Sequence, residues 1–123
     1  MQRVLLVEDN LILLEAIETY LTSLDLEVES RHTTENILQE IPDMDLSLAI
    51  LDVWVKPIQG DEISLAIKNN QKIKSFPIIL ISAKDDLDVT AQKAKADDHL
   101  HKPFRLPELG EKALNLIELS FGS

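Results

Sequence analysis

The sequence predicts an α/β fold, a (βα)5 chain forming a doubly wound, five-stranded parallel sheet. Two observations carry this. Residues 4–7, 48–51 and 78–81 are short, unbroken apolar runs rich in Val, Ile and Leu, the composition of parallel strands covered on both faces. Between them, apolar residues recur at spacings of three and four, the period of a helix with one buried face. Alternation of this kind implies a parallel sheet with helices packed on it.

Taken in order, the first strand, residues 4–7, runs into the acid pair Glu8 and Asp9. A helix follows, with Leu14, Ile17, Leu21 and Leu24 on one face. The second strand is half-polar: Leu26, Val28 and Ser30 alternate with Glu27, Glu29 and Arg31. A short helix over 33–41 leads to the third strand, 48–51, which ends on Asp52. A helix over 61–70 precedes the apolar strand 78–81, which ends on Ser82, and a helix over 86–95 comes next. The fifth strand centres on Leu100, between His99 and His101, and ends at Lys102. In the last helix Leu109, Ala113, Leu116 and Ile117 share a face after Pro107, which suits a first-turn position. Half-polar strands belong at sheet edges, so with right-handed crossovers the favoured order is 2-1-3-4-5.

Composition bounds the function. At 123 residues, with no repeat, linker or low-complexity tract, the chain reads as one domain over residues 1–123, large enough to bury a core without staples. There is no cysteine, which excludes disulfides and thiolate metal sites. No apolar run approaches the ~20 residues of a membrane span, and the N-terminus lacks a signal-peptide pattern. The expected location is cytoplasmic, with no membrane partner. A net charge of −10 opposes the phosphate backbone, so no direct nucleic-acid partner is expected.

Glu8, Asp9, Asp52, Ser82 and Lys102 all fall at carboxyl ends of predicted strands, where open α/β sheets bind ligands. A lone Asp after a strand is ordinarily a turn or helix cap. Five such residues at one rim are not explained by capping. Three carboxylates held together repel and raise one another's pKa. A hard divalent cation relieves this, and Mg²⁺ accepts a few carboxylates while keeping water and phosphate ligands. Lys102 and Ser82 supply a cation and a hydroxyl suited to a phosphoryl group. One carboxylate can then attack phosphorus and form an acyl phosphate.

The stretches "VLLVEDN", "LAILDV", "PIILISAKDD" and "ADDHLHKPF", in this order and spacing, resemble the receiver domains of two-component response regulators along essentially the whole chain. The resemblance implies a flavodoxin-like fold and a phospho-acceptor signalling protein, one that catalyses only its own phosphorylation and dephosphorylation. Asp52 would accept phosphate from the phosphohistidine of a sensor kinase or histidine phosphotransfer protein, and a downstream effector would read the change. Asp9 would bind Mg²⁺ directly, Glu8 mostly through water, and the backbone carbonyl of Trp54 would add a ligand. Lys102 would contact the phosphoryl oxygens, with a cis bond to Pro103. Ser82 would swing toward the phosphate and His99 would move inward with it. No effector domain follows residue 119, so the resemblance suggests a stand-alone receiver or a piece of a longer protein; the tail Phe121-Gly122-Ser123 does not decide.

Several positions depart from the family pattern. His99 stands where Tyr or Phe is common; in the plainer reading it is an exposed edge-strand residue. His32 and His101 read as solvent-facing, with no third ligand for zinc. Lys56-Pro57 shifts the usual proline by one, while Gly60 keeps its place. Lys95-Ala96 replaces a Gly-Ala pair before the fifth strand, at a turn where Gly is favoured. Asp97, Glu108 and Lys112 match charged positions of a dimer face common in receiver-containing transcription factors. Asp88 stands there in place of an arginine, leaving that interface incomplete.

Three other readings fare worse. A flavodoxin-like cofactor binder needs backbone and hydroxyl donors after the first strand, where Glu8-Asp9-Asn10 presents acids. A Mg²⁺-dependent aspartyl phosphatase places a second acid two residues after its nucleophile, where this chain has Trp54. A pseudo-receiver, acting only as a protein-interaction domain, is opposed by the intact set of Glu8, Asp9, Asp52, Ser82 and Lys102.

Overall fold

Each apolar run forms a strand, as the computed structural model of residues 1–122 shows. Ser123, the last residue of the domain read over 1–123 and of the tail noted above, lies outside the described residues. The elements are β1 Arg3–Val7, α1 Leu11–Ser23, β2 Glu27–Arg31, α2 Ile37–Glu40, β3 Leu48–Asp52, α3 Gly60–Asn69, β4 Ile78–Ser82, α4 Leu87–Lys93, β5 Asp98–His101 and α5 Leu106–Gly122. The sheet is parallel throughout, in the predicted order β2-β1-β3-β4-β5.

Side-chain alternation explains why the central strands are apolar along their whole length. Leu5, Val7, Ala49, Leu51, Ile78 and Leu80 point to one face, beneath Ile37, Ile63, Leu87 and Ala91 of α2, α3 and α4. Val4, Leu6, Leu48, Ile50, Ile79 and Ile81 point to the other, beneath Ile17, Leu21, Leu109, Ala113 and Ile117 of α1 and α5. Each Leu or Ile so buried contributes about 1.5–3 kcal/mol. Edge strand β2 is half-buried throughout, and β5 is half-buried except for exposed His101. No helix among the described residues is long and apolar enough to cross a membrane.

Two helices are shorter than expected. The helix expected over 33–41 is α2 alone, followed by a 3-10 turn over Ile41–Asp43. Asn36 takes a left-handed φ of 61° just before it, and Pro42 lacks the N–H needed to continue it. The helix expected over 86–95 is Leu87–Lys93. It ends in a Schellman turn: the Lys95 N–H donates to Gln92 O and the Ala96 N–H to Ala91 O. Lys95 occupies the left-handed position of that turn at φ 57°, so the turn forms without the glycine that favours it.

Of the charged residues noted around α4, β5 and α5, Asp97, Glu108 and Lys112 are engaged within the domain, while Asp88 is exposed. Asp97 accepts from the Ile78 N–H and from Lys68 Nζ, both at 2.7 Å. Lys112 pairs with Asp98 at 3.1 Å, and Glu108 accepts from the Arg105 N–H at the start of α5.

Candidate functional site

The acid pair after β1 is split by the start of α1. Asn10 caps that helix, its Oδ1 accepting from the Ile12 and Leu13 N–H groups at 3.1 Å. Its own N–H donates to Glu8 Oε2 at 3.1 Å. This turn drives Glu8 inward, where it is fully buried, and leaves Asp9 exposed.

Asp52, the last residue of β3, is 3% exposed. Its Oδ1 accepts from the Trp54 N–H at 3.3 Å, and its Oδ2 accepts from Lys102 Nζ at 3.2 Å. The same ammonium donates to Glu8 Oε1 at 2.6 Å. Glu8, Asp9 and Asp52 each offer an oxygen within 4.8 Å of the others. Four predicted site residues therefore converge: Glu8, Asp9, Asp52 and Lys102.

The charge balance follows from burial. Loss of solvent pushes the Glu8 carboxyl up from 4.5 to about 7; Asp52 adds to the rise, while Lys102 and the Asn10 N–H oppose it. Burial pulls Lys102 down, but its bonds to Glu8 and Asp52 outweigh this and hold the ammonium above its usual value. The result is a pair of buried carboxylates bridged by one ammonium, with one exposed carboxylate in Asp9 beside them. Such an all-oxygen donor set matches a hard cation.

The remaining predicted residues surround this cluster. Ser82, the last residue of β4, is fully buried; its Oγ accepts from the Lys84 N–H at 3.2 Å, and its carbonyl accepts from the Lys102 N–H at 2.8 Å. His99 is half-buried on β5, in register with Leu80. The Lys102–Pro103 and Lys56–Pro57 peptide bonds are cis. His32 and His101 are exposed.

Trp54 is 50% exposed, between fully buried Val53 and Val55. Alternation thus continues past the end of β3 and turns the ring outward. The Lys84 ammonium is bound to Asp86, whose carboxyl it holds below the ordinary value.

Gly60 is required by a close approach. A Cβ there would lie 2.1 Å from the Asp52 carbonyl oxygen, so the first turn of α3 can seat against the end of β3 only without a side chain. Its N–H donates to Val53 O at 2.9 Å and closes the neck of the loop after Asp52.

Two contributors escaped the sequence reading. Asn10 carried a usable signal, an amide residue directly before an apolar-periodic helix. Thr34 carried none. It lies between β2 and α2, 1% exposed, and bonds to the backbone of Lys56 and Ile58.

Comparison with known proteins agrees with this geometry. Residues 4–114 match the response regulator receiver domain family. The transcriptional regulatory protein GltR of Pseudomonas aeruginosa is 35% identical over 108 residues, covering 86% of this chain and 45% of GltR. The chain spans about half the length of GltR and of several other curated relatives. A receiver domain protein from Methanospirillum hungatei superposes with a TM-score of 0.88 over 99% of this chain and 98% of that one, at 22% identity, a likeness of fold alone. The response regulator TrrA from Thermotoga maritima, solved in complex with Mg²⁺-BeF, is 28% identical with a TM-score of 0.81, over 94% of this chain and 99% of TrrA. The matched segment runs from β1 into α5 and contains every residue of the carboxylate cluster and its lysine, and the chain belongs to the response regulator receiver domain family.

Proposed function

We propose that the domain is a phospho-acceptor of two-component signalling, taking a phosphoryl group onto Asp52 with Mg²⁺ bound at Glu8, Asp9 and Asp52. The observation that carries this is the single ammonium of Lys102 held between Glu8 Oε1 and Asp52 Oδ2, at 2.6 and 3.2 Å, beside an exposed third carboxylate. Bound Mg²⁺ would supply charge neutralisation for the oxygens of the transferred group. The residues do the rest. Asp52, oriented by the Trp54 N–H, attacks phosphorus as the phosphohistidine imidazole departs with the electron pair of the P–N bond. Lys102, freed from part of its pairing with Glu8, meets the charge that develops on the phosphoryl oxygens. Ser82, at the neighbouring strand end, offers its hydroxyl to the product. Because the other ring nitrogen of the phosphohistidine already carries a proton, a neutral imidazole leaves, and hydrolysis of the acyl phosphate resets the domain.

In this reading the partners are a sensor histidine kinase or histidine phosphotransfer protein upstream and an effector downstream, in the cytoplasm, and catalysis is confined to the domain's own phosphorylation and dephosphorylation. The Mg²⁺ complex of TrrA supports the metal assignment. Calorimetric titration with Mg²⁺, alone and with beryllofluoride as a tetrahedral phosphoryl analogue, tests it. Wild type should bind the metal and bind it more tightly with the analogue. Asp9→Asn should weaken Mg²⁺ binding while leaving the fold intact or more stable, because like-charge repulsion is relieved. A wild type that binds no Mg²⁺ contradicts the proposal.

A further inference from the structure

We infer that Thr34 is a positioning residue for the Asp52 site: it fixes the loop after the acceptor, and with it Trp54, from the far side. This rests on the phospho-acceptor reading given above and adds a residue to it.

The loop over 53–59 is fixed at its neck by the Gly60 N–H bond to Val53 O and in its first half by the buried side chains of Val53 and Val55. Its tip has no such means. Lys56, Pro57 and Gln59 are exposed, Ile58 is only half-buried, and proline has no N–H to give. Thr34 supplies what is missing. Its N–H donates to Lys56 O at 2.9 Å. Its Oγ1 donates to Ile58 O and accepts from the Ile58 N–H, both at 2.7 Å. One buried residue thus satisfies backbone groups on both sides of Pro57. A hydroxyl is needed because it must both give and accept. Valine has the same shape and can do neither, so Ile58 would lose both bonds.

The consequence reaches the site through Trp54. Its N–H holds Asp52 Oδ1 at 3.3 Å, and its carbonyl is the expected additional metal ligand. A loop released at its tip would let that peptide wander, and groups that orient ligands are worth about tenfold or more in metal affinity.

The test is amide hydrogen exchange of the metal-free protein together with Mg²⁺ titration, for wild type, Thr34→Val and Thr34→Ser. Ile117→Val, on the opposite face of the sheet, serves as a control for general destabilisation. Thr34→Val should speed exchange at Ile58 and Trp54 and weaken Mg²⁺ binding about tenfold. Thr34→Ser, which keeps the hydroxyl, should stay near wild type. Thr34→Ala carries the same expectation as valine should valine fail to pack. Thr34→Val with wild-type Mg²⁺ affinity overturns the inference, as does an equal loss in Ile117→Val. If wild type binds no Mg²⁺, the functional reading fails first and the inference with it. Normal binding in wild type and in Thr34→Val would fault the inference alone.

Discussion

The Lys102 ammonium lies 2.6 Å from an oxygen of Glu8, a carboxylate with no exposed surface. In the absence of metal, this lysine is what keeps two buried acids, Glu8 and Asp52, beside each other. Replacing it with Met should leave both without a counter-charge and cost about 1–3 kcal/mol of stability. Urea unfolding measures the loss. Mg²⁺ should restore part of it in the variant, since the cation takes over the ammonium's electrostatic role. A Lys102→Met protein as stable as wild type without Mg²⁺ would show that the pairing contributes nothing net.

The pH dependence of the metal-free protein should carry the signature of Glu8. Its folded-state value of about 7 lies above its ordinary 4.5. A raised value means the contribution is full below 4.5 and is lost as pH rises through about 7. Unfolding free energy should therefore fall as pH rises from 4.5 through about 7, by roughly 1–3 kcal/mol from this group. Glu8→Gln should remove that slope. Mg²⁺ affinity should run the other way and weaken as pH drops below about 7, because metal and proton compete for the same oxygens.

Lys95 offers a test on the fold alone. It holds a left-handed φ of 57° at the end of α4, where a side chain costs about 1 kcal/mol. Its Nζ bond to Asn69 Oδ1 at 2.8 Å is exposed and offsets little. Lys95→Gly should raise stability by about 0.5–1 kcal/mol, read as a higher urea midpoint with unchanged slope. A lower midpoint would mean the Asn69 contact and unfolded-state entropy outweigh the strain.

How much of this was legible depends on where each signal resides. The central strands were readable because burial on both faces leaves no room for polar residues between 4 and 7, 48 and 51, or 78 and 81. The acids and Lys102 were readable because their position after a strand is set by chain order. The inward turn of Glu8 and outward turn of Asp9 were not, since Asn10 decides them through a cap. The helix expected over 33–41 was drawn too long because apolar spacing cannot outvote Asn36 and Pro42, which leave α2 only four residues. Thr34 was invisible because its partners, Lys56 and Ile58, are distant in sequence and engaged only through backbone atoms.

Trp54 gives an optical handle. Half-exposed and two residues beyond Asp52, its ring should report on the site. Intrinsic emission should change when Mg²⁺ binds and change again on phosphorylation. A ring beside the site would also hinder an attacking water, and on that expectation Trp54→Asn should shorten the life of the acyl phosphate. A flat Mg²⁺ titration with an unaltered decay rate in the variant would remove both expectations.

The central claim is that Asp52 is the phosphorylated residue, and intact-protein mass spectrometry tests it most directly. Wild type and Asp52→Ala are incubated with Mg²⁺ and a small acyl-phosphate donor. Wild type should gain one phosphoryl group, lost on chelation of Mg²⁺ before the donor is added, and Asp52→Ala should gain none. Equal labelling of the two proteins, or no labelling of wild type, would contradict the account.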